Sequence, residues 1–577
     1  AQISFMNRYI MENLDERQTI LDAINSMSLT NFNYSILNRD LANTLIVSYC
    51  FPPYSDTSAT IVAKRLINQN EIVDVVSNNM SKIRSTEPSL NEIVKPLVAE
   101  KVTVSTQASF SNMFYLNSYI DQTFNIFLKN MERYNKIYSR AMFPVSHIPQ
   151  LFMKLVKPEI KWIAEFSDPL LYNIESNIRN SSMQNEMLMQ SLETGLLNQF
   201  SKYVDDNLFN LSELIPFALA DELIFTNENQ LEYMISRFEE EEKQFIRNKS
   251  LIQKHPTLNK EYYHLEEIDI DIDNALINIA YFGNFYSKRG YDNFISLLEN
   301  LNRNFKYFFK LHIYTNTATL SDEDLEFLNS NKISVYPYLS FTEFLNVTTK
   351  YDVLILNDAI TIEDKSINPY LPSKLSDYLG SETPILAITE KGSVLSKLEY
   401  DTLYKIDYSN FENDESINKE LSNMKYKDLF ESIYKKKIDR FISKVEGFTK
   451  LTDSELDVTL SKDLQIENLF DKNWIIKPLG PKIIQYNDYE IIIKNKGIDP
   501  KDIYIKSFYG VKNVIKVEFI YQNNNQDNFS KDISKFKSRF EQYIIPPKST
   551  LVIRIKYNKD YQKKSFVEAG RLRIKNI

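Results

Sequence analysis

The sequence predicts an α/β protein of two Rossmann-like domains facing a cleft, followed by an all-β, sandwich-like domain. Three observations carry that prediction. Short apolar runs alternate with helical stretches in two separate series, one charged and irregular connection divides the series, and the period changes from helical to two near residue 475. A chain of 577 residues with 43% hydrophobic content is long enough to bury several cores.

Residues 1–43 read as a helical arm without a clear core pattern, suited to capping or self-association. The first α/β domain spans 44–240. TLIVSYC (44–50) is a buried strand, and FPPYSDTSATIVAKRL gives a turn and a helix with Asp56, Thr57 or Ser58 near its N-cap. Further strands are expected at EIVDVV (71–76), NKIYSR (135–140), IKWIAEF (160–166) and ELIFT (222–226). Strands that alternate with helices build a parallel, doubly wound sheet.

Residues 241–275 read as a linker, and a second domain is expected over 276–450. Its strands are INIAYFG, FKLHIYT (309–315), ISVYPY (333–338), YDVLIL (351–356), TPILAI (383–388) and TLYKID (402–407), closed by a long helix at 427–445. The chain has ten glycines, none before Gly195, yet Gly283 and Gly290 flank NFYSK and Arg289. A strand ending in glycine and a helix pattern beginning at Tyr291 make that stretch a strand-turn-helix. Such a turn offers backbone N–H groups to an anion, with Lys288 or Arg289 adding full charge. An ordinary turn with solvated basic residues has the same signature. A second linker is expected at 451–474, and 475–577 reads as alternating strands: YEIIIKNKG, DIYIKSFYG, VIKVEFIYQ, STLVIRIKY and GRLRIKNI.

Charge divides the same way. Residues 475–577 hold 21 Lys+Arg and 10 Asp+Glu, a net of +11; the whole chain is −9, so the first 474 residues carry −20. A basic module suits an anionic polymer, an anionic membrane face or nucleic acid, or is a solvated β-domain rich in surface lysine. The lone Cys50 excludes a disulfide framework and a cysteine-rich metal site. With no long apolar run and no signal-peptide pattern, a cytoplasmic location is expected.

Several of these segments, taken in order, resemble the GT-B-fold retaining glycosyltransferases of the large family 4-like group that includes many bacterial surface-polysaccharide enzymes. LIVSYCFPPYSDTSATIVAKRL is similar to the family's opening strand and acceptor-side loop. KIYSRAMFPVSHIPQLFMKL, KWIAEFSDPLLYN and ALADELIFTNENQLEYM are similar to the rest of its first domain. YFGNFYSKRGYDNFISLL and YLPSKLSDYLGSETPILAI are similar to its donor-side segments. The resemblance spans roughly residues 44–445.

The resemblance implies a nucleotide-diphosphate sugar donor, UDP-linked by preference, with no further cofactor and no metal. Gly283, Asn284, Lys288 and Arg289 fall in the turn where the family neutralises the diphosphate, Asn284 standing where the family has an Arg. Ser373 and Lys374 fall at a helix start able to receive phosphate. Asp377 takes the place of the carboxylate that binds the ribose, although its residue type also fits a surface position on a helix. The family's Glu eight residues earlier is Pro369 here. On the acceptor side Asp168, in FSDP, is a group facing the cleft or a turn cap, and His147 is a cleft residue or a structural one. The expected partners are a nucleotide sugar and a glycan or anionic-polymer acceptor, met through the basic C-terminal domain, with peripheral membrane association as a further role and no nucleic acid. Asp269, Asp271 and Asp273 of IDIDID resemble a metal-binding Asp-x-Asp but read as an exposed acidic face of the linker. The implied activity is transfer, with retention, to a hydroxyl of a cell-surface glycan, teichoic-acid-like polymer or glycoprotein. The alternatives are a catalytically silent glycan-binding or assembly protein and a nucleotide-sugar epimerase.

Overall fold

A computed structural model describes residues 2–437 apart from 28–31, 271, 273–275, 285–291, 306 and most of 322–332, and beyond 437 the main chain of the strands alone. Residues 1–271 and 278–423 form one compact unit; Met424–Ile577 belong to a second, together with 272–277.

The first sheet has seven strands: β1 (Thr44–Val47), β2 (Val73–Asn78), β3 (Val98–Val104), β4 (Lys136–Ala141), β5 (Lys161–Phe166), β6 (Glu222–Phe225) and β7 (Ser250–Ile252). All pair in parallel, in the order β3-β2-β1-β4-β5-β6-β7. The strands β1 and β2 are buried along their whole length, as expected where helices cover both faces. Four of the strands read from the sequence after β1 are present. The β3 and β7 strands were not read; β7 and the helix Glu240–Asn248 lie in the stretch taken as a linker, and β7 extends the sheet.

The second sheet contains β8 (Ile277–Phe282), β9 (Phe309–Tyr314), β10 (Ser334–Tyr336), β11 (Val353–Asn357), β12 (Ile385–Thr389) and β13 (Leu403–Asp407). Its order is β10-β9-β8-β11-β12-β13, again all parallel. Both sheets therefore follow the doubly wound order 3-2-1-4-5-6, and each reverses direction beside its first strand. The two α/β domains read from the sequence are present.

The N-terminal arm consists of the helices Gln2–Glu12, Arg17–Ser26 and Tyr34–Leu37 around a small core of Ile10, Leu21, Ile24 and Leu37. Asn38 Nδ2 donates to the Pro96 carbonyl at 2.9 Å, which fixes the arm to the chain entering β3. It caps the first domain.

In the second unit, residues 424–437 are helical. Among the described residues nine strands follow: β14 (Leu456–Leu460), β15 (Leu464–Phe470), β16 (Asn473–Pro478), β17 (Tyr489–Asn495), β18 (Lys501–Phe508), β19 (Val514–Gln522), β20 (Glu541–Ile545), β21 (Thr550–Tyr557) and β22 (Arg571–Asn576). They form two antiparallel sheets, β14-β17-β21-β19 and β15-β16-β22-β18-β20. The first three strands lie at least partly in the stretch read as a second linker.

Packing at Gly380, in the helix Lys374–Ser381, shows how tightly this element is held. A Cβ there would lie 2.1 Å from Tyr263 Oη, which donates to the Asp377 carbonyl at 2.6 Å. Helix propensity favours alanine over glycine by about 1 kcal/mol, whereas overpacking costs about 1–3 kcal/mol. Gly380→Ala is therefore expected to lower the melting temperature; an unchanged or raised melting temperature would show that Tyr263 is not locked against this helix.

Candidate functional site

Ligands of doubly wound sheets bind beyond the carboxyl ends of the strands, at the reversal of strand order. In the second sheet that point lies between β8 and β11. The β8 strand runs into Gly283, whose N–H donates to the Tyr314 carbonyl at 3.0 Å, and Asn284, whose Oδ1 accepts from Tyr338 Oη and from Asn316 N at 3.4 Å. Lys288 and Arg289 follow within a few residues but lie outside the described residues. Beyond β11, Glu390 accepts from Thr361 Oγ1 at 3.1 Å and Ile362 N at 2.9 Å, tying the start of the next loop to the end of β12.

That loop docks on the first domain. Lys365 Nζ donates to the Asn173 carbonyl at 2.6 Å and Tyr233 Oη at 2.8 Å. Asn227 Nδ2 donates to the Pro369 carbonyl at 3.0 Å, and Asn229 Nδ2 to the Asn368 carbonyl at 2.9 Å. Asn173 follows β5, Asn227 and Asn229 follow β6, and residues 365–369 follow β11. The carboxyl edges of the two sheets thus meet, which is the GT-B arrangement. Burial lowers the Lys365 pKa to about 8. Pro369 takes part in this docking through its carbonyl.

The helix Lys374–Ser381 begins where the sequence placed it. Its N-cap, Ser373, has helical dihedrals (φ −61°, ψ −32°) and makes no side-chain cap, so its hydroxyl does not close the helix start. Lys374 Nζ lies 5.4 Å from the centre of the Phe344 ring. One turn on, Asp377 Oδ1 is 2.7 Å from Lys64 Nζ, which also donates to Ser376 Oγ at 2.7 Å. Lys64 is fully buried and Asp377 nearly so. The expected surface alternative for Asp377 is therefore corrected: its carboxylate is turned inward against the first domain.

Lys64 belongs to the helix Thr57–Gln69, which starts because Asp56 accepts from Ser58 N at 2.8 Å and ends at Asn70 in the left-handed region (φ 50°). The next residue, Arg65, turns to its own sheet. Arg65 Nε lies 3.0 Å from one Glu165 oxygen, Arg140 Nε 3.1 Å from the other, and Tyr138 Oη donates to the carboxylate at 2.7 Å. Arg140 Nη1 donates to Ser58 Oγ at 2.6 Å. Burial by itself would raise the Glu165 pKa; the charges of Arg65 and Arg140 outweigh it and hold the group at about 2. His255, whose ring nitrogens are buried without a hydrogen-bond partner, is held neutral by burial and by Arg140.

The two acceptor-side candidates part company. Asp168 is exposed just beyond β5, and its charge raises the pKa of Tyr370, together with the larger effect of burial. His147 is fully buried in the turn Pro144–His147, its Nδ1 2.8 Å from Ser139 Oγ and its ring 5.0 Å from that of Phe166. Burial drops its pKa to about 3. Of the two readings, the structural one fits, because a neutral imidazole inside the core does not reach an acceptor. Among the described residues no group of His, Cys, Asp and Glu has the makings of a metal site.

Lys64, Arg65 and Glu165 were not singled out from sequence. The signal was available: Arg140 and Glu165 end apolar runs of strands covered on both faces, where a charge has to find a partner.

No family model and no curated protein matches the sequence. Solved structures with similarity include a glycosyltransferase from Rickettsia africae (11% identity, 71% of this chain and 98% of that one, TM-score 0.40). Others are UDP-GlcNAc 2-epimerase from Neisseria meningitidis bound to UDP-GlcNAc (10%, 68% and 94%, 0.37) and ADP-heptose LPS heptosyltransferase II from E. coli (9%, 63% and 90%, 0.30).

Breaking one partner of a buried pair costs about 3–5 kcal/mol, while replacing both by apolar residues is often close to neutral. Lys64→Met is thus expected to destabilise strongly and Lys64→Met/Asp377→Leu much less, as measured by denaturant unfolding; equal losses would mean that the pair does not act as a unit.

Because the Glu165 pKa is lowered on folding, from 4.5 to about 2, its contribution is present above about pH 4.5 and fades as pH falls toward 2. Glu165→Gln is expected to be less stable at neutral pH and to show a shallower loss of melting temperature through that window. A parallel pair of curves would remove Glu165 from the acid response.

Proposed function

We propose that the chain is a glycosyltransferase that moves a sugar from a nucleotide-diphosphate donor to a hydroxyl of a cell-surface glycan, teichoic-acid-like polymer or glycoprotein, with retention at the anomeric carbon. The observation that supports the reading is the meeting of two doubly wound sheets at their carboxyl edges. In this reading Arg289 and Lys288 neutralise the diphosphate, backbone N–H groups at Gly283–Asn284 and Ser373–Lys374 complete the cradle, and Asp377 takes the ribose hydroxyls. Preorganised donors of this kind stabilise the departing diphosphate as its charge develops. Asp168 stands on the acceptor side. Loops already docked across the cleft exclude water from a donor that water would otherwise hydrolyse.

A second reading, a silent relative kept for glycan binding or assembly, is favoured by Pro369 in place of a Glu and by Asp377 already engaged by Lys64. An epimerase on the same fold is the third. Donor turnover separates transferase from silent relative, and the identity of the released sugar separates transferase from epimerase.

Calorimetric titration of UDP, GDP, CDP and ADP into the wild type and Arg289→Ala tests the donor site. One nucleotide is expected to bind at micromolar level, UDP foremost, and to bind roughly tenfold more weakly to the variant, the size of one charge-assisted hydrogen bond. Absence of binding by all four would sink the enzyme reading.

A further inference from the structure

We propose that one face of the five-stranded sheet, centred on Arg571, Arg573 and Lys575, binds a linear phosphodiester-linked sugar or polyol polymer. The strand that carries them, β22, lies in the middle of its sheet, between β16 and β18. Its ladder sets Lys575 opposite Tyr504, Arg573 opposite Lys506 and Arg571 opposite Phe508, with Ile475 opposite Arg573 on the other side. Alternate positions fall on the other face: Leu572 and Ile574 pair with Ile476 and Trp474, and Ile574 also with Ile505. Period-two alternation therefore divides the sheet into a mainly apolar face, which also takes Ser507, Glu541 and Asn576, and a face bearing the cations.

The cations form a file. Residues two apart on a strand are separated by about 7 Å, so Arg571, Arg573 and Lys575 form a row along one strand, with Lys506 about 5 Å to one side at the next strand. A row of this kind addresses successive anionic groups of one extended chain, whereas an anionic bilayer presents charge in two dimensions and is matched by a broad cationic face. Arginine in two of the three positions favours phosphate, whose oxygens its planar fork engages in pairs. Tyr504 and Phe508 occupy the register positions beside the row, which suits sugar or polyol units between phosphates. Among the paired positions of this face the one carboxylate, Asp502, lies opposite Ile544, past the end of β22. The first 474 residues carry −20, so the attraction for such a polymer is concentrated in this region. The choice of a sugar or polyol polymer over nucleic acid rests on the transferase reading above; the phosphate row does not.

The test uses the full chain and synthetic poly(glycerol phosphate), followed by fluorescence anisotropy at several salt concentrations. The wild type is expected to bind, with affinity falling as salt rises. Arg571→Gln/Arg573→Gln/Lys575→Gln is expected to lose at least tenfold in affinity and to flatten the salt slope by about 2, the counterion release of three phosphate contacts. A charge-matched variant on the other sheet, Lys494→Gln/Lys516→Gln/Lys556→Gln, is expected to bind within about threefold of wild type by the same bookkeeping. Where the glutamine variant does not fold, Arg571→Lys/Arg573→Lys is expected to keep the salt slope and lose affinity, since lysine retains charge without the fork. Equal losses in the two triple-glutamine variants would overturn the row in favour of diffuse charge. Failure of the wild type to bind the polymer, with or without binding to an oligonucleotide or to phosphatidylglycerol vesicles, would overturn the proposal. UDP titration of the same samples keeps the readings apart: nucleotide binding without polymer binding sinks this proposal alone, and polymer binding without nucleotide binding sinks the donor site alone.

Discussion

Everything in the cleft depends on the helix Thr57–Gln69 carrying two adjacent buried cations that serve different domains. Lys64 reaches Asp377 and Ser376 in the second domain, and Arg65 holds Glu165 in the first. Burying a charge costs several kcal/mol unless it is paired in good geometry, so neither cation has another place to go. The pairs are weak evidence for stability, because apolar residues of similar volume would pack there at lower cost. What they specify is position: a shift of either sheet strands a charge. The carbonyls of Asn368 and Pro369, held by Asn229 and Asn227, fix the same relation a second time from the loop side.

This arrangement gives Asp377 two claims on its carboxylate. If a ribose takes it, Lys64 loses its anion while remaining buried, and the nearest compensation is the negative charge of the diphosphate itself. Donor binding and retention of Lys64 are then linked, since the ligand that removes one partner supplies another. Glu165 stands outside that exchange, because Arg65, Arg140 and Tyr138 already saturate it and keep it ionised over the whole physiological range.

Much of the fold was legible because buried parallel strands are largely apolar runs, as β8, β11 and β12 of the second sheet are. The two strands missed in the first sheet are its edges. In β3 (VAEKVTV) the charged Glu100 and Lys101 break the run, as half-exposed edges permit, and β7 is three residues long. The site was less legible for a different reason: sequence order does not show which polar side chain is turned inward. His147 looked like a loop residue, yet Phe143, Val145 and Ile148 around it are apolar, and the loop folds into the core with them. Asp377 sits in a helix with a polar pattern, and its partner lies more than 300 positions away in the chain. The charged residues at the ends of apolar runs, Arg140 and Glu165, were the readable clue, since a parallel sheet leaves them no solvent.

The division of charge also has a physical reason to coincide with a division of fold. At physiological ionic strength the field of a surface charge decays over about 8 Å, so a carboxylate-rich α/β body repels a polyanion only at close range. Mixing the cations into that body would pair them off one by one, as Lys64 and Arg65 already are. Concentrating the excess on a separate set of antiparallel sheets avoids this, because an antiparallel sheet can be apolar on one face and charged on the other, whereas a strand covered by helices on both faces cannot. A β-region appended to two doubly wound domains is thus the place where this chain can set cations in a row along one face of a strand.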